Sequence, residues 1–201
     1  KGTWLTPEAV WTKKDSTYYL TQDMVYTTDA GNNSYNVSPV EKLFPFLKGS
    51  SEFNTPVYID APAAWYVLFD GYCRKVSKKD YKVLEEQPFQ EWLPLPDTLN
   101  WSQVNTGYMQ GKSLVLIGKD KVLLAERKGK AFQYVQATGP QHYFVNWPYS
   151  WGAGNVSAAR LLPGENKVIL YRNMESAVCT IEQKTIEKAV PLKLKWIGEI
   201  K

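Results

Sequence analysis

The sequence predicts an all-β chain folded as a four-bladed β-propeller, each blade a four-stranded antiparallel sheet with a short helical turn leading to the next. Two short patterns recur four times with one shared period, and turn residues punctuate short apolar runs throughout.

The first pattern opens each unit. A polar or acidic residue followed by small residues enters a β-like run at Glu8-Ala9-Val10, Asp60-Ala61, Asn105-Thr106-Gly107 and Ser157-Ala158-Ala159. Anchored on Glu8, Asp60, Asn105 and Ser157, the spacings are 52, 45 and 52 residues. The second pattern closes each unit with an aromatic beside Pro or Gly after one or two helical turns. Phe44, Trp92, Trp147 and Trp196 step by 48, 55 and 49 residues. Together they divide one domain, 1–201, into blades over about 4–55, 56–102, 103–153 and 154–201.

Between these markers lie the other strands. The third unit shows them best, with apolar runs at 113–117, 121–126 and 131–135 separated by Gly-Lys-Asp and Lys-Gly turns. A lone four-stranded sheet cannot bury both faces, whereas sheets stacked around a ring cover each other and shelter their edges. The small residues of the first strand follow from the same geometry, because four innermost strands crowd one channel.

At these residues the chain resembles the hemopexin-like repeat family, whose blades begin with an Asp-Ala-Ala type of inner strand and end in a Trp-Pro-Gly-Leu-like segment. Ile59-Asp60-Ala61, Ser157-Ala158-Ala159, Leu43-Phe44-Pro45-Phe46-Leu47 and Asn146-Trp147-Pro148 carry the likeness over all four units. Within the family, the stretch from Phe44 to Ala61 is most similar to legume seed albumins of this fold. The departures are Glu8 in place of an opening Asp, no Ala pair after Asn105, and a step of only six residues from Ala61 to the Val67-Leu68-Phe69 run. Vertebrate members close the ring with a disulfide. Here the first blade has no Cys, so closure is expected from packing of the termini, through Trp4 and Trp196.

The resemblance implies a ligand or ion at the central channel. Hard cations such as calcium or sodium prefer oxygen donors, which makes Glu8, Asp60, Asn105 and Ser157, mainly through backbone carbonyls, the expected ring. Haem is suggested by the family name, but His142 is the only histidine, which excludes two-His ligation. A polyamine is the third implied ligand, and Glu8 with Asp60 offers two acids for it. Independently, the run 144–152 sets Trp147 and Trp151 among amides and glycine, as a sugar-binding platform would, although blade-end aromatics serve the core first.

Composition narrows the class. Hydrophobic residues make up 44 % and aromatics 14 %, with eight Trp and thirteen Tyr, which suits pleated packing. A net charge of +4 is below what a dedicated nucleic-acid binder shows. The basic runs near Arg74, Lys78 and Arg127 read as solvated strand edges, with a polyanion-binding face as the alternative. No apolar run has membrane-spanning length. Sequons at Asn32, Asn36, Asn100 and Asn155 lean towards a secreted or stored protein. Cys73 and Cys179, out of register in diagonal blades, are expected to be unpaired and buried.

No Gly-x-Ser-x-Gly elbow, Walker loop or His-Glu-x-x-His occurs. The expectation is therefore a binding module, monomeric or weakly dimeric, for a small molecule, a glycan or a protein. The rival readings are a lectin-like or toxin-associated interaction protein and a small catalytic propeller with an aromatic pocket.

Overall fold

The computed structural model describes residues 6–29, 35–48, 55–152 and 155–192. It contains four up-and-down meanders. The first is β1 (Ala9–Lys13), β2 (Ser16–Thr21), β3 (Met24–Thr28) and β4 (Tyr35–Pro39), followed by two 3-10 turns. The second is β5 (Val57–Asp60), β6 (Ala64–Phe69), β7 (Tyr72–Ser77) and β8 (Val83–Pro88), ending in the one-turn helix α1 (Phe89–Trp92). The third is β9 (Val104–Gln110), β10 (Ser113–Gly118), β11 (Val122–Lys128) and β12 (Ala131–Thr138), ending in α2 (Pro140–Tyr143). The fourth is β13 (Ala158–Leu161), β14 (Lys167–Arg172), β15 (Glu175–Thr180) and an outer edge split between β16 (Thr185–Ile186) and β17 (Val190–Pro191).

Local chemistry sets the hairpins. Asp70 and Gly71, joining β6 to β7, both have positive φ (52° and 78°). That is the type I′ geometry whose twist matches the flanking strands. Gly111 and Gly129 open the equivalent two-residue loops of the third meander at φ 61° and 68°.

Side chains from neighbouring meanders fill the spaces between them, which accounts for the aromatic composition. Between the first and second, Trp11, Phe44 and Trp65 interlock edge to face, with Tyr81 stacked on Trp65 at 5.9 Å. Between the second and third, Trp92 packs on Tyr66 and Phe132. Between the third and fourth, Tyr108, Phe144 and Trp151 are buried with Val168 and Leu170. The seam between fourth and first is smaller among the described residues, with Val10, Ala158 and Tyr171 at its centre. The expected contribution of Trp4 and Trp196 to this seam lies outside the described residues.

The inner strands are not independent. β5 and β9 pair in parallel, Tyr58 opposite Thr106 and Ile59 opposite Gly107, so the second and third meanders form one eight-stranded sheet. Thr106 Oγ1 also donates to the Tyr58 carbonyl at 3.0 Å. On the other flank of β9, a Cβ at Gly107 would stand 2.6 Å from the Val115 carbonyl oxygen of β10.

This pairing corrects the register expected for Asp60. Parallel alignment makes Val57 the counterpart of Asn105, and Asp60 falls opposite Tyr108 at the end of its strand. The chain then turns, with Ala61 N–H donating to the Ala64 carbonyl at 3.0 Å. The step from Ala61 to the next apolar run is short because Asp60-Ala61 closes the inner strand instead of opening it. The aromatic marker shifts as well. The turns that end the first three meanders start after Pro39, Pro88 and Gly139, which aligns Phe44 with Leu93 and Phe144. These three are buried, whereas Trp147 lies beyond the equivalent point and is half-buried.

Candidate functional site

The N-terminal ends of the inner strands converge on a cavity of about 930 Å³ at one mouth of the channel. Glu8, Val57, Asn105 and Ser157, the structurally equivalent residue of each blade, all line it. The Glu8 and Ser157 N–H groups are held at 2.8 Å by the Leu20 and Tyr171 carbonyls of their second strands. Three of the four expected channel residues are thus brought together. Asp60 is not among them.

The mouth is acidic on one side and aromatic on the other. The first blade contributes Glu8, the exposed Asp23 from the β2–β3 hairpin, and Tyr26. Asp70 lies at the rim on the second blade. Phe69, Phe89 and Trp101 line the side formed by blades two and three. No Lys, Arg or His lines the cavity among the described residues.

Glu8 is the unusual group. Burial pushes its carboxyl up to about 7, a hydrogen bond from the Gln22 backbone pulls it back, and Asp23 adds to the rise. Among the described residues, its Oε2 is buried without a hydrogen-bond partner, as is the nearby Tyr58 hydroxyl. Burial, reinforced by the Glu8 charge, holds that phenol well above its ordinary range. Unsatisfied buried polar groups are rare in native proteins, and one use for them is a ligand.

Asp60 occupies the other end of the channel. Its Oδ1 pairs with Lys78 Nζ at 2.6 Å, and its Oδ2 accepts the Leu161 N–H at 2.7 Å. Burial raises its carboxyl, while Lys78, the Leu161 N–H and Arg160 oppose the rise. With its oxygens engaged, Asp60 tethers blades two and four and offers little to a ligand. For the channel cation, this leaves Glu8 as the one carboxylate among the four expected residues at the mouth. The described residues hold no group of three or more His, Cys, Asp or Glu placed for a metal. That part of the donor set does not fit a carboxylate-rich calcium site.

The aromatic run at 144–152 is also corrected. Trp151 is 0 % exposed and donates Nε1–H to Glu175 at 2.8 Å. Trp147 stacks on Phe144 at 5.3 Å and donates to the Gly152 carbonyl. Both rings serve the seam between blades three and four. Asn146, Pro148 and Ser150 of the same run instead line a second cavity of about 400 Å³ with Glu175, Glu187 and Lys188.

The other expected groups have plain placements. His142 is exposed at the end of α2, away from the mouth. Asn36, Asn100 and Asn155 are exposed, and Asn155 lines the mouth; Asn32 lies outside the described residues. Cys73 and Cys179 are free and buried, their thiols raised by burial, Cys179 to about 12. The basic runs are largely engaged: Arg74 with Glu86, Lys75 with Glu85 at 2.8 Å, Arg127 with the Tyr66 hydroxyl at 2.8 Å. No described helix is long and apolar enough to cross a membrane.

Sequence reasoning missed Asp23, Asp70, Phe89 and Trp101. The two acids sit in hairpin loops, where the period of the inner strands says nothing. Trp101 carries a signal in hindsight, since it lies just before the third inner strand.

No family model matches the sequence, and no curated protein is significantly similar to it. Solved structures do match. The hemopexin fold protein CP4 from cow pea superposes with a TM-score of 0.71 at 13 % identity, covering 94 % of each chain. The 2S albumin seed protein from Dolichos gives 0.68 at 15 % identity, over 92 % of this chain and 94 % of that one. LS24, a seed albumin from Lathyrus sativus, gives 0.65 at 14 % identity, over 87 % and 85 %. At such identities the likeness is one of architecture: the chain adopts the all-β hemopexin fold seen in these seed proteins.

Proposed function

We propose that this protein is a non-enzymatic binding module that takes a cationic small molecule at the acidic mouth of its channel. The observation that carries the reading is the buried Glu8 Oε2, which has no hydrogen-bond partner among the described residues, in a cavity that also holds Asp23 and Asp70 and, among its described lining, no basic residue. An ammonium group seated there supplies the missing hydrogen bond and offsets the desolvation of the carboxylate. A polyamine such as spermine meets that requirement, with several ammonium groups to reach the rim acids.

Haem is the weaker candidate, because His142 lies away from this cavity and an anionic propionate meets acids and no basic residue among the described lining. A calcium or sodium ion at the same ring would depend on backbone carbonyls around Glu8. The architectural likeness to seed albumins supports a stored or secreted protein.

Calorimetric titration of spermine, with calcium and haemin as comparators, tests the assignment. Spermine binding that is lost in Glu8→Gln supports it. Absence of spermine binding, or binding indifferent to Glu8→Gln, overturns it. The catalytic alternative would use Glu8 as an acid–base group, and turnover of an amine by the wild type but not by Glu8→Gln would favour it.

A further inference from the structure

The mouth is built for more than charge. Trp101 and Phe89 line it while half-buried, their ring centroids 5.4 Å apart. Trp92, which is fully buried, braces Trp101 from behind at 6.1 Å. The Phe89 N–H is tied to the Gly71 carbonyl at 3.0 Å, and Asn100 caps the turn that carries Trp101 by accepting the Ser102 N–H at 2.9 Å. Phe69 completes this wall. It is a rigid aromatic surface open to the cavity, and burying such surface under a ligand is favourable.

The carboxylates Glu8 and Asp23 belong to the first blade, whereas the aromatic wall belongs to the second and third. A linear polyamine uses the acids and leaves the rings wet. A neutral aromatic uses the rings and leaves Glu8 Oε2 unpaired. One ligand class meets both demands.

We infer that the channel mouth is a site for an arylalkylamine, with its ammonium at Glu8 and its ring against Trp101 and Phe89. This rests on the proposed cationic-ligand reading and narrows it. Asp70, at the rim beside Phe69, is placed to accept from a hydroxyl or second amine on the ring end. The polar edge formed by Asn105, Asn155 and Ser157 sets the remaining wall. The volume falls in the upper part of the range of about 300–1,000 Å³ for small-molecule sites, so a one- or two-ring amine fits with water to spare.

The test is calorimetric titration of the full chain at pH 8 with four probes: 2-phenylethylamine, 2-phenylethanol, n-butylamine and spermine. The expected result is that 2-phenylethylamine binds about tenfold more tightly than both the alcohol, which lacks the charge, and butylamine, which lacks the ring. Trp101→Leu keeps apolar bulk against Trp92 and removes the aromatic face. It should erase most of the advantage over butylamine while butylamine binding stays unchanged. Perturbation of the Trp101 indole N–H resonance by 2-phenylethylamine gives a readout on the unmodified protein. If spermine binds but 2-phenylethylamine is no better than butylamine, the aromatic assignment is overturned and the cationic mouth stands. If no amine binds, including spermine, both fall.

Discussion

Asp60 Oδ2 accepts the Leu161 backbone N–H at 2.7 Å across 101 residues of sequence, and so joins the inner strand of the second blade to that of the fourth. The other oxygen of the carboxylate is held by Lys78 at 2.6 Å. The parallel β5–β9 pairing already links blades two and three. The Asp60 bond adds a second link across the channel.

Removing Asp60 leaves Lys78 and a buried N–H without their partner. Asp60→Ala should therefore lose about 1–3 kcal/mol of stability, whereas Asp60→Asn, which keeps an acceptor for Leu161, should lose distinctly less. Urea denaturation of both variants checks this. Equal losses would show that the Leu161 bond contributes nothing.

The elevated Glu8 carboxyl ties stability to pH. Its value of about 7 in the fold exceeds the ordinary 4.5, so between these values the native state holds more proton than the unfolded chain. The stabilisation linked to the protonated form is fully present below about pH 4.5 and is lost as pH rises to about 7, in all of order 3 kcal/mol. Glu8→Gln should remove this dependence and melt above the wild type at pH 8. Amine binding runs the other way, strengthening through pH 7 as the carboxylate forms. Melting curves from pH 4 to pH 8, with and without spermine, show both slopes.

At Gly107 a methyl group would meet the Val115 carbonyl oxygen at 2.6 Å and the Leu116 side chain at 3.0 Å. Gly107 stands in β9, between β10 and β5, with backbone on both sides and little room to yield. Gly107→Ala should cost roughly 2 kcal/mol or more. Thermal unfolding no different from the wild type would mean that the β9–β10 pairing relaxes freely.

Both thiols are buried and held in the neutral form at pH 8. A thiol reagent should label neither in the native protein within minutes and both after denaturation. Fast native labelling of Cys179 would indicate that blade four opens locally.

The period of about fifty residues, the small residues of the inner strands and the turn residues at Gly118-Lys119-Asp120 and Lys128-Gly129 made the four-bladed architecture legible in the linear chain. These features are local or strictly repeated, so they survive without knowledge of what packs against what. Glu8, Asn105 and Ser157 were found at the mouth for the same reason. Asp60 was misplaced because an Asp-Ala pair reads alike at either end of a strand. Only the cross-strand register with Thr106 and Gly107 shows that Asp60 ends β5. For Trp151 the sequence leaves both a sugar platform and a core role open, because a string of residues carries no inside or outside. Packing on Trp147 and the hydrogen bond to Glu175 made it core.

What the sequence determined alone was repetition: four meanders, their hairpins, and aromatic side chains between them. The tertiary structure decided which end of each inner strand faces the same mouth. It set Glu8, Asp23, Asp70 and Trp101 around one cavity, although 93 residues separate Glu8 from Trp101. A ring joins residues according to the register of its strands, and register depends on hydrogen bonds between segments far apart in the chain, which no single repeat encodes.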